Sequence, residues 1–163
     1  MPCFRLFALL LTGALSLAAS DDPLARNSLK GIKAIYVGVE PLSPDARKLG
    51  LTDEALKKTV EERLRARAIQ VLEQQDPKVP IYLYLDVTLN QPQGAPFWVY
   101  TMTLSLKQMV SLRRDSAIQI PAPTWALSRN GVAGERVFAG ALTKAASDLT
   151  DRFTAAFKAV NPK

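Results

Sequence analysis

Residues 81–112 read IYLYLDVTLNQPQGAPFWVYTMTLSLKQMVSL, and their pattern determines the fold class. Apolar and polar side chains alternate over residues 81–90 and again over residues 98–112, with one interruption at Gln108. Such alternation is typical of strands that bury one face. Proline and glycine in the intervening QPQGAP indicate a turn. The stretch therefore predicts a long antiparallel hairpin with one apolar face and one face rich in Thr, Ser and Tyr.

Shorter segments have the same period of two. Residues 33–40 predict a first strand, residues 69–73 a short second strand, and residues 124–129 a last strand. Residues 113–123 are predicted to be a connection, and Asn130-Gly131 a turn. The sequence thus predicts five strands, of which the central hairpin is the longest pair.

Two further segments carry apolar residues at helical spacing. The first helix is predicted to begin after residues 41–50, at Thr52, whose hydroxyl can accept a bond from a first-turn amide. Its apolar stripe consists of Leu56, Val60 and Leu64. The second helix is predicted to run from about Gly134 to Val160. Its stripe consists of Phe138, Leu142, Ala145, Ala146, Leu149, Phe153, Phe157 and Val160.

These elements give the order β-α-β-β-β-β-α. An amphipathic helix and a one-sided sheet bury their apolar surfaces against each other. We therefore expect an α+β fold, a two-layer sandwich in which a mainly antiparallel sheet carries both helices on one face. Residues 32–163 are predicted to form this single domain, preceded by a polar, flexible lead at residues 21–31.

The amino terminus has the composition of a secretory signal. A basic start is followed by the apolar run from Leu6 to Leu17 and by small residues up to Ser20. The run is shorter than the roughly 20 residues that span a bilayer, although an uncleaved anchor stays an alternative. Cys3 precedes the run, whereas an acylated lipoprotein cysteine follows it. We predict that residues 1–20 are a signal peptide cleaved near Ser20, and that the protein is periplasmic or secreted.

The composition argues against several kinds of chemistry. The chain has no histidine, and its one cysteine lies in the predicted signal peptide. Nucleophilic triads that use His, thiol chemistry and the usual zinc ligand sets are therefore not expected. No catalytic residue, metal ligand or cofactor site is predicted. An enzyme that uses Asp, Glu, Lys or Tyr alone stays an alternative, for which Asp86 and Glu40 are the acids to inspect.

The formal net charge of +6 is spread along the chain and suits acidic partners. Anionic lipid or glycan is the alternative ligand class that this charge favours, whereas nucleic acid is not expected for an exported protein. The charge does not indicate an oligomeric state.

Aromatic and polar residues of the hairpin are the candidate partner-binding residues. Phe97 and Trp98 follow the hairpin tip, where aromatic side chains are favoured interface anchors. Trp98 is also in phase with the core set, so it could belong to the core, and the same alternative holds for Trp125. A second candidate surface is the polar hairpin face, which carries Tyr82, Tyr84, Thr101 and Thr103.

The segments KAIYVGVE at residues 33–40, LTDEALKKTVEERLRARAIQV at 51–71, IYLYLDVTL at 81–89, and the Trp-containing strands resemble uncharacterised exported bacterial proteins. The layout is also similar to small periplasmic sandwich domains, namely the amino-terminal domain of the Tol-system propeller protein and the auxiliary lipoproteins of lipid and lipopolysaccharide transporters. This resemblance implies a binding or assembly domain without enzymatic activity that recognises an envelope protein. The chain departs from the auxiliary lipoproteins because it lacks a lipobox cysteine.

Overall fold

The computed structural model describes residues 21–75 and 81–162, so the predicted signal peptide lies outside the described residues. Five strands and several helices follow one another along this part of the chain. Their bounds are α1 Pro23–Asn27, β1 Ala34–Val39, α2 Pro44–Lys48, α3 Asp53–Ala66, β2 Gln70–Leu72, β3 Tyr82–Asn90, β4 Phe97–Leu112, β5 Asp115–Gly134 and α4 Phe138–Val160, with a 3-10 turn at Glu135–Val137. The mixed α+β class and the five strands agree with the sequence prediction.

The five strands form one sheet in the order β2-β1-β3-β4-β5. The hairpin strand β4 is antiparallel to β3 and to β5, whereas β1 is parallel to both β2 and β3. The sheet is therefore mixed, with as many parallel as antiparallel pairings. The prediction of a mainly antiparallel sheet did not anticipate that β1 lies between β2 and β3, because that placement depends on crossovers and not on local pattern.

One buried cluster holds the sheet and the helices together. The predicted stripe of α3 is buried, and Thr52 caps this helix by accepting a bond of 3.1 Å from the Ala55 amide. In β3 and β4 alternate side chains are buried, as the hairpin pattern predicts; they include Leu83, Leu85, Tyr100, Met102, Leu104 and Leu106. The same cluster contains the stripe of α4 from Phe138 to Phe157.

Strand β5 is longer than predicted. The sequence predicts a connection at residues 113–123 and a turn at Asn130-Gly131, but residues 115–123 and Asn130-Gly131 lie within this 20-residue strand, paired with β4, and the connection is reduced to a turn at Arg113 and Arg114. Two prolines misled the first prediction, because proline is tolerated in an edge strand. The prediction of a turn was wrong because Gly131 does not mark a turn. It lies within the strand, at the position where the ring of Tyr100 crosses it.

The segment expected to be a flexible lead, residues 21–31, packs on the domain. It contains α1, which is capped by the Asp22 side chain, and Leu29, which is fully buried. Asp21 accepts a hydrogen bond of 3.1 Å from the Trp125 indole nitrogen. Asn161, just after α4, contacts the backbone of Leu29 and Gly31 through its side-chain amide. The sequence did not indicate that residues 21–31 pack on the domain, because long-range contacts of this kind leave no local pattern.

Candidate functional site

The polar face of the sheet carries four of the predicted site residues. Because side chains alternate along a strand, Tyr82 and Tyr84 lie opposite to the buried side of β3. Their rings meet edge to face, with centroids 6.2 Å apart. The ring of Tyr84 lies beneath the ammonium group of Lys107, which is 3.9 Å from the ring centroid. Tyr84 also donates a hydrogen bond to the carboxylate of Glu40.

The two predicted threonines are paired with β5 across the same face. Thr101 donates a hydrogen bond of 2.9 Å to Asn130, and the hydroxyls of Thr103 and Ser128 are 2.8 Å apart. The polar groups of this face therefore satisfy one another. The structure brings the four residues onto one surface, but their internal pairing does not require a ligand.

The Glu40 carboxylate and partial burial raise the pKa of Tyr84 to about 12. The hydrogen bond to Glu40 is the largest cause, because it stabilises the neutral phenol and the carboxylate opposes a phenolate charge.

We expect Glu40→Gln to lower the pKa of Tyr84 towards the ordinary tyrosine value of about 10. An ultraviolet titration of the phenolate band in wild type and in Glu40→Gln measures this shift, with Tyr84→Phe identifying the band. Between about pH 10 and pH 12, Tyr84 keeps its proton in the folded wild type but has lost it in the unfolded chain. The contribution of Tyr84 to stability is therefore lost as the pH rises through this range. An unchanged titration would show that Glu40 does not hold the Tyr84 proton.

The two aromatic residues at the hairpin tip have different environments. Trp98 packs edge to face on Phe138, with ring centroids 6.3 Å apart, and its buried indole nitrogen has no hydrogen-bond partner among the described residues. Phe97 is 36% exposed. Trp98 therefore belongs to the margin of the core, and Phe97 is the residue of the pair that is open to a partner.

Phe97 belongs to an apolar surface that sequence reasoning missed. We call Phe97, Val99 and Val132 the apolar corner: alternation places them on one face, and Val132 pairs with Val99 across the two strands. Val132 is 63% exposed, which is unusual for a paired strand residue. The signal was hidden because Val132 follows Asn130-Gly131, which local rules assign to a turn.

The apolar corner continues along the free edge of the sheet. Only β4 pairs with β5, and within the described chain no backbone hydrogen bond joins residues 125–134 to any other segment. Pro121 and Pro123 have no backbone N–H group, so the first half of β5 presents an incomplete row of hydrogen-bond donors. Residues 124–134 contain no proline. We call residues 125–134 the open edge. Its backbone groups are available to an added strand.

No protein-family model matches the sequence, and no curated protein matches it significantly. Solved structures to which this chain is similar include a minor lipoprotein from Acinetobacter baumannii, which is 13% identical and covers 76% of this chain and 92% of that chain, with a TM-score of 0.40. A PelC dodecamer from Paraburkholderia phytofirmans is 18% identical and covers 86% of this chain and 93% of that chain, with a TM-score of 0.43. A second PelC dodecamer from that organism is 16% identical and covers 76% and 87%, with a TM-score of 0.42. Likeness at this level is distant, and it carries no argument about function.

The acids considered for catalysis are engaged on the polar face. Glu40 accepts the Tyr84 bond, and Asp86 is 3.4 Å from the Thr88 hydroxyl. In residues 21–75 and 81–162, no three His, Cys, Asp or Glu side chains are grouped so that they could hold a metal ion. The same ranges contain no helix with the length and apolar character needed to cross a bilayer.

Proposed function

We propose that this chain is a non-enzymatic domain of the cell envelope that binds a protein partner along the open edge and the apolar corner. The observation that carries the proposal is the continuity of the two surfaces, since an unprotected run of backbone donors and acceptors ends beside Phe97 and Val132. Exposed edges of this kind are normally shortened, charged or covered in monomeric proteins.

The geometry suits an extended segment of the partner. A strand added to β5 would continue the β4–β5 ladder, so its backbone would supply affinity without regard to sequence. Side chains on the polar-face side of that strand would then reach Val132 and Phe97. The apolar corner would select apolar residues in the partner. A polar side chain of the partner that packed on Val132 and Phe97 would lose its hydrogen bonds to water and gain none in exchange.

Site-directed photo-crosslinking in the producing cell tests the proposal. A photoreactive amino acid replaces Asn130 or Val132 at the surface under test, and Lys58, which is exposed on α3, is the control position. We expect the two β5 positions to give an adduct of the same mass with one envelope protein, and Lys58 to give none. Adding Phe97→Ser should reduce the yield from Val132.

Several outcomes would contradict the proposal. Equal adducts from Lys58 would mean that capture is unspecific, and adducts with the mass of two copies would assign the edge to self-association. Turnover of an envelope substrate by the pure protein would contradict the non-enzymatic assignment. Trp98 is not a suitable test position, because its packing on Phe138 would confuse loss of binding with loss of stability.

A further inference from the structure

The β4–β5 hairpin extends past the rest of the sheet as a two-stranded ribbon. We define the ribbon as residues 107–123, which begin where the register shifts between Leu106 and Lys107 and where Lys107 makes the last pairing of β4 with β3, to Tyr82. Six strand residues from Lys107 to Leu112 give it a length of roughly 20 Å. Its turn is formed by Arg113 and Arg114, both of which are exposed.

The ribbon exposes large apolar side chains. Ile118 and Ile120 are 41% and 43% exposed, and Val110 pairs with Ile120 on the same face. Met109, on the opposite face, is 41% exposed. A ribbon of two strands has no second layer of its own with which to cover these residues.

Unpaired cations surround the base of the ribbon. A depression of about 450 Å³ is lined by Lys30 and Lys33 together with Gln108 of the ribbon. A neighbouring depression of about 280 Å³ is lined by Arg67 and Lys158. Asn161 lines the second depression, and it accepts a hydrogen bond from the amide of Gly31, which lines the first, so the two adjoin.

Among the described residues, those that line these two depressions include no carboxylate. None of the four cations forms an ion pair with another described residue, whereas cations elsewhere, such as Lys58 and Arg63, have carboxylate partners. Basic residues at helix ends also favour the helix dipole, which accounts for Arg67 and Lys158. That effect does not account for Lys30 and Lys33, which lie outside the long helices. Both lysines are exposed, so their positive charges face the solvent.

We propose that this end of the molecule docks on an anionic membrane surface. Lys30, Lys33, Arg67 and Lys158 would bind lipid phosphates, and the apolar face of the ribbon would lie in the interface beside them. Charge complementarity identifies the occupant, because anionic lipids present a dense layer of phosphates next to an apolar layer, which matches cations beside exposed isoleucines. The cations and the ribbon include none of the residues of the open edge or the apolar corner, although the ribbon adjoins the open edge along β5, so variants can test the two proposals separately.

Vesicle sedimentation tests the inference with the protein purified in the processed form that the cell produces. The probes are vesicles of phosphatidylglycerol with phosphatidylcholine, and vesicles of phosphatidylcholine alone, at an ionic strength of about 0.1 M, where the Debye length is about 10 Å. Each cation near an anionic surface contributes a factor of about five to binding. The pair Lys30→Gln and Lys33→Gln should therefore weaken binding to the anionic vesicles about 25-fold.

A matched control removes two charges elsewhere. Lys48→Gln with Lys58→Gln changes two exposed lysines, one at the end of α2 and one near the middle of α3, and it should change binding less than about twofold because salt screens charges distant from the contact. Ile118→Ser with Ile120→Ser should weaken binding even where salt has reduced the electrostatic part. Circular dichroism of each variant checks that the fold is retained.

Each outcome decides the proposal. Binding that requires phosphatidylglycerol, falls with the Lys30 and Lys33 pair and survives the control pair supports it. Absence of vesicle binding by the wild type overturns it, and so does equal loss in both charge pairs. Binding of an acidic polysaccharide such as polygalacturonate that depends on Lys30 and Lys33, without vesicle binding, overturns it in favour of a glycan site.

Discussion

Trp125→Ala is expected to lower the free energy of unfolding by about 3–5 kcal/mol, as truncation of a fully buried aromatic residue does. The side chain is 1% exposed, and its ring packs edge to face on Phe153 with centroids 5.1 Å apart. Its indole nitrogen donates to Asp21, so one residue joins β5, α4 and the segment that carries α1. Its loss would leave a cavity between the sheet and α4 and would remove one of the hydrogen bonds that hold the amino-terminal segment on the domain.

Urea denaturation followed by circular dichroism measures this loss. Trp125→Phe and Trp98→Phe form a matched pair, because both remove an indole and keep an aromatic ring. Trp125→Phe should be the more destabilising of the two, since only the Trp125 nitrogen has a hydrogen-bond partner. A loss below about 1 kcal/mol for Trp125→Ala would contradict the burial of this side chain.

Gly131→Ala is expected to destabilise the fold by about 1–3 kcal/mol, the usual cost of adding a methyl group where no space exists. A Cβ atom at residue 131 would overlap the ring of Tyr100, whose Cε1 atom would lie 2.7 Å away. Tyr100 is 5% exposed and is directly paired with Gly131, so the ring has little room to move. The glycine is required by close approach and not by its backbone conformation.

A double-mutant cycle separates this contact from other effects of the alanine. In a Tyr100→Ala background, Gly131→Ala should have almost no further cost, because the ring that it would strike is gone. Gly140→Ala is the control, since nothing lies within 4 Å of a Cβ atom there and helical alanine is favoured over glycine. Equal destabilisation by Gly131→Ala in both backgrounds would contradict the steric explanation.

The apolar corner and the tip of the ribbon lie at opposite ends of the β4–β5 hairpin. Phe97 begins β4 and Leu112 ends it, and 16 strand residues separate these ends by about 50 Å. A domain docked on a membrane through the ribbon would make this contact at the end of the hairpin that is farther from the apolar corner. Protein binding and membrane binding can occur together in this arrangement, and variants at one end should not affect the other.

Much of the candidate binding surface depends on how β4 and β5 pair, which could not be predicted from the sequence. Phe97 and the four polar-face residues were found from alternation, because period two assigns a face to each side chain. Val132 was missed because Asn-Gly is also the usual signal of a hairpin turn. The ribbon was missed because its prolines resemble those of a loop. The adjoining depressions at its base were missed because they form only where α3 and α4 end beside the start of β1.

The sequence by itself determined the periods of the elements. The hairpin strands, the stripe of α3 with its Thr52 cap and the stripe of α4 are local patterns, and the structure buries the residues that they indicate. Only the tertiary structure decided that β1 lies between β2 and β3, that Trp125 belongs to the core and that residues 21–31 pack on the domain. Those features rest on contacts between residues far apart in the chain, about which the local period of a segment carries no information. The same long-range arrangement determines that the open edge, the apolar corner and the ribbon are left uncovered.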